Sequence, residues 1–154
     1  MTGGGATGGG TPASPVASPR FLAAGDRALV VEFGDVIDEA LNAAVMALDA
    51  RLQALALPGL QEVVPTYRSV MIHYDPLVLP AARLQAIAAE LAAQPAPVEP
   101  PRRVWHVPAC YGGAHGMDLV ELAAGKGMRE EEVVAIHSRA EYRIFMFGFA
   151  PGYA

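Results

Sequence analysis

Cysteine is almost absent from this chain: Cys110 is the only thiol in 154 residues. An internal disulfide is therefore excluded, and so is a cysteine-rich metal framework. The four histidines, His73, His106, His115 and His137, do not cluster at ligand spacing either. Charge is sparse, with 18% charged residues and 16 acidic against 11 basic side chains, a formal net charge of −5. That balance provides no basic stripe for a phosphate backbone, so nucleic acid is not an expected partner. Aromatic residues make up only 7% of the chain. The common catalytic signatures are missing as well: there is no GxxxxGK phosphate loop, no GxSxG elbow, no HExxH pair and no dinucleotide glycine fingerprint. No apolar run approaches the ~20 residues needed to cross a bilayer, because Asp, Arg, Gln and Glu interrupt the alanine-rich stretches. A reducing cytoplasm is the compartment this composition fits.

What the chain does have is hydrophobic residues, 53% of the total, which excludes disorder by composition. Residues 1–19 are the exception. They hold a GGGATGGG stretch that no strand precedes, with neither the basic nor the apolar region of a signal peptide. They read as a flexible Gly/Pro/Ser-rich tail.

Beyond the tail, "RALVVEF" (27–33) is β-branched and bounded by Gly-Asp pairs, and so reads as a strand. Leu41, Val45, Leu48, Leu52 and Leu55 recur at steps of four and three, predicting an amphipathic helix over about Asp38 to Leu57, closed by Pro58-Gly59. "LQEVVP" and "YRSVMIHY" are joined by so few residues that they must pair antiparallel. Leu84, Ile87, Ala88 and Leu91 predict a second helix beginning near Pro80, a residue suited to a first helical turn. "RRVWHVPA" then reads as a further strand. The order β-α-β-β-α-β is the split βαβ, or ferredoxin-like, arrangement of an α+β domain.

The pattern changes after "WHVPACYGG". Asp118 is positioned to cap a helix at "LVELAAGKG", with Glu121 as the reciprocal half of a capping box. A second helix, "EEEVVAIHS", carries three glutamates in its first turn and His137 near its C-terminal end, where a cationic imidazole is favoured. "EYRIFMFGF" is apolar or aromatic on both faces, the mark of a central strand covered on both sides. Cys110 reads as a buried structural thiol rather than a nucleophile. "GFAPGY" combines a constrained backbone path with aromatic stacking surface, and reads either as a structural turn or as part of a site.

Together, "GDRALVVEFGD", "VVPTYRSVMIHYDP", "VPACYGG", "GMDLVELA" and "EEEVVAIHSRAEYRIFMFGFAPGY" resemble the B subunit of the bacterial ATP-dependent 5-oxoprolinases. That family is also known as allophanate hydrolase subunit 1, as carboxyltransferase-domain proteins and as sporulation-kinase inhibitors. The resemblance runs from residue 20 to residue 154. It implies a ferredoxin-like domain over 20–101, followed over 102–154 by the beginning of a cyclophilin-like β-barrel that the chain leaves incomplete. With its barrel cut after the loop, the chain is expected to be inactive alone and to expose residues 141–149 as an aggregation-prone strand. The family's "GGEYGPDL" stands here as "GGAHGMDL", with Ala114, His115 and Met117 in place of the typical residues, and Arg129 occupies the usual capping-hydroxyl position.

The implied activity is the ATP-driven opening of 5-oxo-L-proline to L-glutamate, carried out with A and C subunits. ATP is used by that assembly, and no ATP motif is present in this chain. By the same resemblance, His137, Tyr142, Arg143, Gly148, Phe149, Pro151 and Gly152 are the candidates for lining the site. A regulatory protein that inhibits a sensor histidine kinase is the alternative from another class. A carboxyltransferase or allophanate hydrolase component of urea metabolism is the alternative within the enzymes.

Overall fold

A computed structural model describes residues 18–96, 103–148, 150 and 151. They fall into two compact units, one formed by the residues up to 96 together with those from 145 onward, the other by residues 103–144. Most of the glycine-rich tail, and residues 97–102 after the second helix, lie outside the described residues.

The first unit is built from β1 (Arg20–Ala23), β2 (Ala28–Glu32), α1 (Glu39–Leu55), β3 (Leu60–Pro65), β4 (Ser69–Tyr74) and α2 (Ala81–Ala92). The strands form one sheet in the order β1-β2-β4-β3, with every neighbouring pair antiparallel. Because β2 and β3 both run opposite to β4, they are parallel to each other, and α1 makes the crossover between them. Alternation along the strands sends Leu29, Val31 and Phe33 of the β2 segment, and Val70, Ile72 and Tyr74 of β4, into the core. Val45, Leu48 and Leu52 of α1 and Leu84 and Ala88 of α2 complete that core.

The start of α1 is set by Asp38, whose Oδ1 accepts the N–H groups of Ala40 and Leu41 at 2.8 and 3.1 Å. Two otherwise orphaned donors are thereby satisfied. The helix stops at Leu55, and Ala56 takes a left-handed conformation with φ of 44°. Leu55, the last residue of the expected apolar stripe, is exposed. Pro80 stands at the N-cap of α2, just before the first helical turn. At the other end of α2, Arg51 reaches over from α1: its Nη1 donates to the carbonyls of Leu91 (2.9 Å) and Gln94 (3.2 Å), and its Nη2 to that of Pro95 (2.6 Å). One guanidinium thus ties the two helices together and serves carbonyls at a helix end that lack partners within the helix.

The β3–β4 turn is closed by one backbone bond and one side-chain bond. Thr66 N–H donates to Ser69 O at 2.7 Å, and Thr66 Oγ1 accepts Ser69 N–H at 3.1 Å. At its far end β3 carries a bulge between Leu60 and Glu62. Gly59, just before it, has φ of +88°, and a β-carbon there would sit 2.8 Å from Leu79 Cβ. Both the conformation and the space require glycine.

Several expectations are corrected. Strand β1 has no counterpart among the expected strands; it takes the sheet position beside β2. Residues 103–109 of the expected strand "RRVWHVPA" form no strand. Residues 141–148 of "EYRIFMFGF" form none either, and Tyr142, Ile144, Met146 and Phe147 are exposed rather than centrally buried. The physical reason is shared, since strand propensity produces a strand only where the backbone finds a ladder partner. Cys110 is exposed, not buried, because it directly follows the unladdered residues 103–109.

Within the second unit, a 3₁₀ turn (Gly113–His115) leads to α3 (Leu119–Lys126) and α4 (Glu130–Arg139). Asp118 precedes α3 with φ −97° and ψ −6° and makes no side-chain cap, so the expected capping box is absent. An N-cap residue needs an extended backbone to turn its side chain onto the helix amides. Gly127, at φ 65°, ends α3, and the Met128 N–H donates to Ala123 O at 2.9 Å. Among the described residues no helix is long and apolar enough to cross a membrane.

Candidate functional site

The second unit brings three polar aromatic rings together around the last turn of α4. Tyr111 lies on the segment just before the glycine-rich turn, His137 on α4, and Tyr142 just beyond it. Tyr111 Oη is 2.6 Å from His137 Nδ1, and the two rings meet edge to face with centroids 5.6 Å apart and planes at 79°. On another side, the Tyr142 ring is tilted by 41° with its centroid 5.3 Å from the imidazole. The Tyr142 hydroxyl donates to the backbone carbonyl of His137 at 3.5 Å, not to the ring.

Local structure fixes each partner. The turn after Tyr111 folds back so closely that a β-carbon on Gly116 would strike the Tyr111 carbonyl, so the absence of a side chain at 116 sets the path on which Tyr111 lies. Helix α4 begins with Glu130, Glu131 and Glu132 in its first turn, and Glu132 Oε2 accepts the Arg129 N–H at 2.8 Å. That bond is half of a capping box, formed although Arg129 has no hydroxyl to supply the other half. Acidic side chains at this end and Arg139 in the last turn both match the helix dipole.

Of the residues singled out in the sequence, His137 and Tyr142 come together. Arg143 is half-buried, directly after Tyr142. Gly148 and Pro151 belong to the other unit, where Ala150 N–H donates to Gly148 O at 2.8 Å in a tight turn. Phe149 and Gly152 lie outside the described residues. Tyr111 was missed by sequence reasoning. Its only signal was a tyrosine in "ACYGG" beside a glycine pair, and nothing local pairs it with a histidine so far along the chain.

The cluster can donate and accept hydrogen bonds through two phenols and one imidazole, and the His137 side chain is open to solvent. Among the described residues no three His, Cys, Asp or Glu side chains converge to hold a metal ion. The first unit holds a groove of about 530 Å³ between its helices, lined by Phe21, Phe33, Ala44 and Ala92 among others. Its lining is more apolar than polar, and none of the candidate site residues takes part.

The residues of this cluster fall within the span that a family model matches. Residues 19–154 match the carboxyltransferase domain, subdomain C and D, and the chain belongs to that family. Among its relatives are two proteins named as the B subunit of 5-oxoprolinase. The one from Bacillus subtilis (strain 168) is 34% identical over 140 residues, which covers 84% of this chain and 58% of that protein. The one from Escherichia coli O157:H7 is 33% identical over 133 residues, with the same coverage of 84% and 58%. The chain thus spans little more than half the length of either. Among solved structures, TTHA0988 is similar with a TM-score of 0.66 at 33% identity, over 82% of this chain and 24% of that one. The names of the two relatives describe components of a multi-protein complex.

Proposed function

We propose that this chain is the B subunit of an ATP-dependent 5-oxoprolinase, which opens 5-oxo-L-proline to L-glutamate together with A and C subunits. The observation that carries this reading is the 34% identity with the B subunit of a 5-oxoprolinase across 84% of the chain. On this reading the N-terminal part, 20–101, is a ferredoxin-like domain, and 102–154 begins a cyclophilin-like carboxyltransferase domain in the cytoplasm.

The chemistry explains why several subunits are needed. A lactam resists water because amide resonance holds its carbonyl carbon. Phosphorylation of the lactam oxygen by ATP turns that oxygen into a leaving group and makes the carbon more electrophilic. Water adds there, the ring C–N bond breaks with the nitrogen taking up a proton to leave γ-glutamyl phosphate, and a second water hydrolyses that acyl phosphate to glutamate and free phosphate. On this reading the nucleotide site lies in the rest of the assembly or in a part of the protein outside these 154 residues. His137, Tyr142 and Arg143 are assigned to contact with the lactam, and the loop 148–152 is assigned a share in holding the substrate. Tyr111 joins them through its contact with His137.

Reconstitution tests the proposal. The chain is mixed with its A and C partners, and ADP release is followed with and without 5-oxoproline. Release that rises with 5-oxoproline is expected; release indifferent to it refutes the function.

A further inference from the structure

We infer that Asn42 is a positioning residue: from the buried side of α1 its carboxamide holds the backbone of the segment that starts at Phe145, and so fixes the loop assigned above to the substrate. The substrate, a carboxylate-bearing cyclic amide, rests on the function proposed above; the grip on the segment rests on geometry alone.

Helix α1 gives Val45, Leu48 and Leu52 to the core, and Asn42 lies one turn before Val45. Only 6% of it is exposed. Asparagine is a poor helix former, and a carboxamide taken out of water costs free energy unless its polar groups find partners. The Asn42 Nδ2 finds two, the backbone carbonyls of Tyr67 and Phe145, each at 3.5 Å. Both partners are carbonyl oxygens, which only accept, so the amide nitrogen must be the atom that faces them. Each separation is longer than the usual range of about 2.7–3.2 Å. The equal lengths set one nitrogen between two oxygens, with an N–H available to each.

The elements that carry these two carbonyls give the amide its role. Tyr67 belongs to the β3–β4 turn, whereas Phe145 lies 103 residues from Asn42 along the chain. The chain leaves the second unit at Ile144 and rejoins the first at Phe145, so Asn42 holds the first residue of the returning segment. Three residues on, Gly148 O accepts the Ala150 N–H in the tight turn of the loop. Residues 145–148 belong to no strand, so a sheet ladder does not set where that loop stands. The carboxamide supplies a fixed point in its place. Asn42 itself does not touch the substrate; by holding the segment it reduces the ordering that the loop would otherwise undergo on binding.

Two measurements test the inference on the full 154-residue chain and its assembly. In ¹⁵N relaxation spectra of the unmodified chain, the amides of Phe145–Gly148 should have order parameters of about 0.85, the value of rigid backbone. Asn42→Ala should bring them below about 0.6 and leave those of β4 unchanged, and Asn42→Gln, which keeps the donor on a longer side chain, should fall between the two. Should Asn42→Ala fail to fold, Asn42→Leu removes the donor while filling the space, and the same loosening is expected. Values already below about 0.6 in the unmodified chain, or unchanged once the donor is removed, overturn the inference. In the reconstituted assembly, Asn42→Ala should raise the KM for 5-oxoproline in ADP release about fivefold, the factor that one ordinary hydrogen bond supplies, with kcat within about twofold. A merely structural loss would instead remove active protein and lower kcat at unchanged KM, and that result refutes the positioning role. ADP release by the unmodified assembly that ignores 5-oxoproline sinks the proposed function and the lactam as ligand, while the relaxation spectra still decide whether Asn42 holds the segment.

Discussion

Replacing Arg51 with methionine removes three hydrogen bonds and keeps an unbranched aliphatic side chain. In the native chain those bonds run to Leu91 O, Gln94 O and Pro95 O at 2.9, 3.2 and 2.6 Å. Bonds to a charged donor contribute about 1.5–3 kcal/mol each when buried. Two of the three are solvent-exposed and are discounted accordingly, because water replaces them on opening. The expected loss is about 2 kcal/mol, concentrated in the last turn of α2, where carbonyls have no other helical partners. Lysine, with a single point charge and no planar fork, should restore about half of it. Hydrogen exchange of the α2 amides is the appropriate assay, because it reads local opening without assuming that the whole chain unfolds in one step. At about 1.4 kcal/mol per tenfold, Arg51→Met should speed exchange at Leu84–Leu91 by about thirtyfold, and Arg51→Lys by about fivefold. A change below about threefold in the methionine variant would mean that the guanidinium does not hold α2, and the clasp would have to be discarded.

Two further outcomes follow from the same unit. Asp38→Ala removes the acceptor for the Ala40 and Leu41 amides and should cost about 1 kcal/mol in urea unfolding, whereas Asp38→Ser should be nearly neutral. Gly59→Ala forces a β-carbon against Leu79 at positive φ and should cost about 2 kcal/mol or more; a thermal midpoint equal to that of the unmodified chain would contradict the packing at this turn.

The helices of the first unit were legible because their signal is local. The run from Leu41 to Leu52 repeats at helical spacing, and Leu48 and Leu52 are fully buried where that repeat places them. The hairpin of β3 and β4 was equally plain, since a short connection leaves only antiparallel pairing. Strand β1 was not legible. "RFLA" has no alternation long enough to read, and its status depends on backbone bonds to Val31 and its neighbours on a separate strand. The reverse error at "RRVWHVPA" and "EYRIFMFGF" has the same origin: composition measures fitness for a sheet but not the presence of a partner. At the candidate site, His137 and Tyr142 were within reach of sequence reasoning because they flank an unusual aromatic block. Tyr111 was not, because its role comes from a turn that returns the chain to α4.

The bulge in β3 bears on how the sheet meets its surroundings. β3 is one of the two outer strands, and an outer strand offers a row of unpaired amides and carbonyls to any extended chain that drifts past. The irregularity between Leu60 and Glu62 breaks the even spacing of that row, Glu62 sets a charge along it, and Pro65 at its end offers no N–H. The opposite border, β1, is only four residues long and begins with Arg20, paired to Glu32 at 2.9 Å. Among the described residues, a foreign strand would find few aligned donors and acceptors along either border of this sheet.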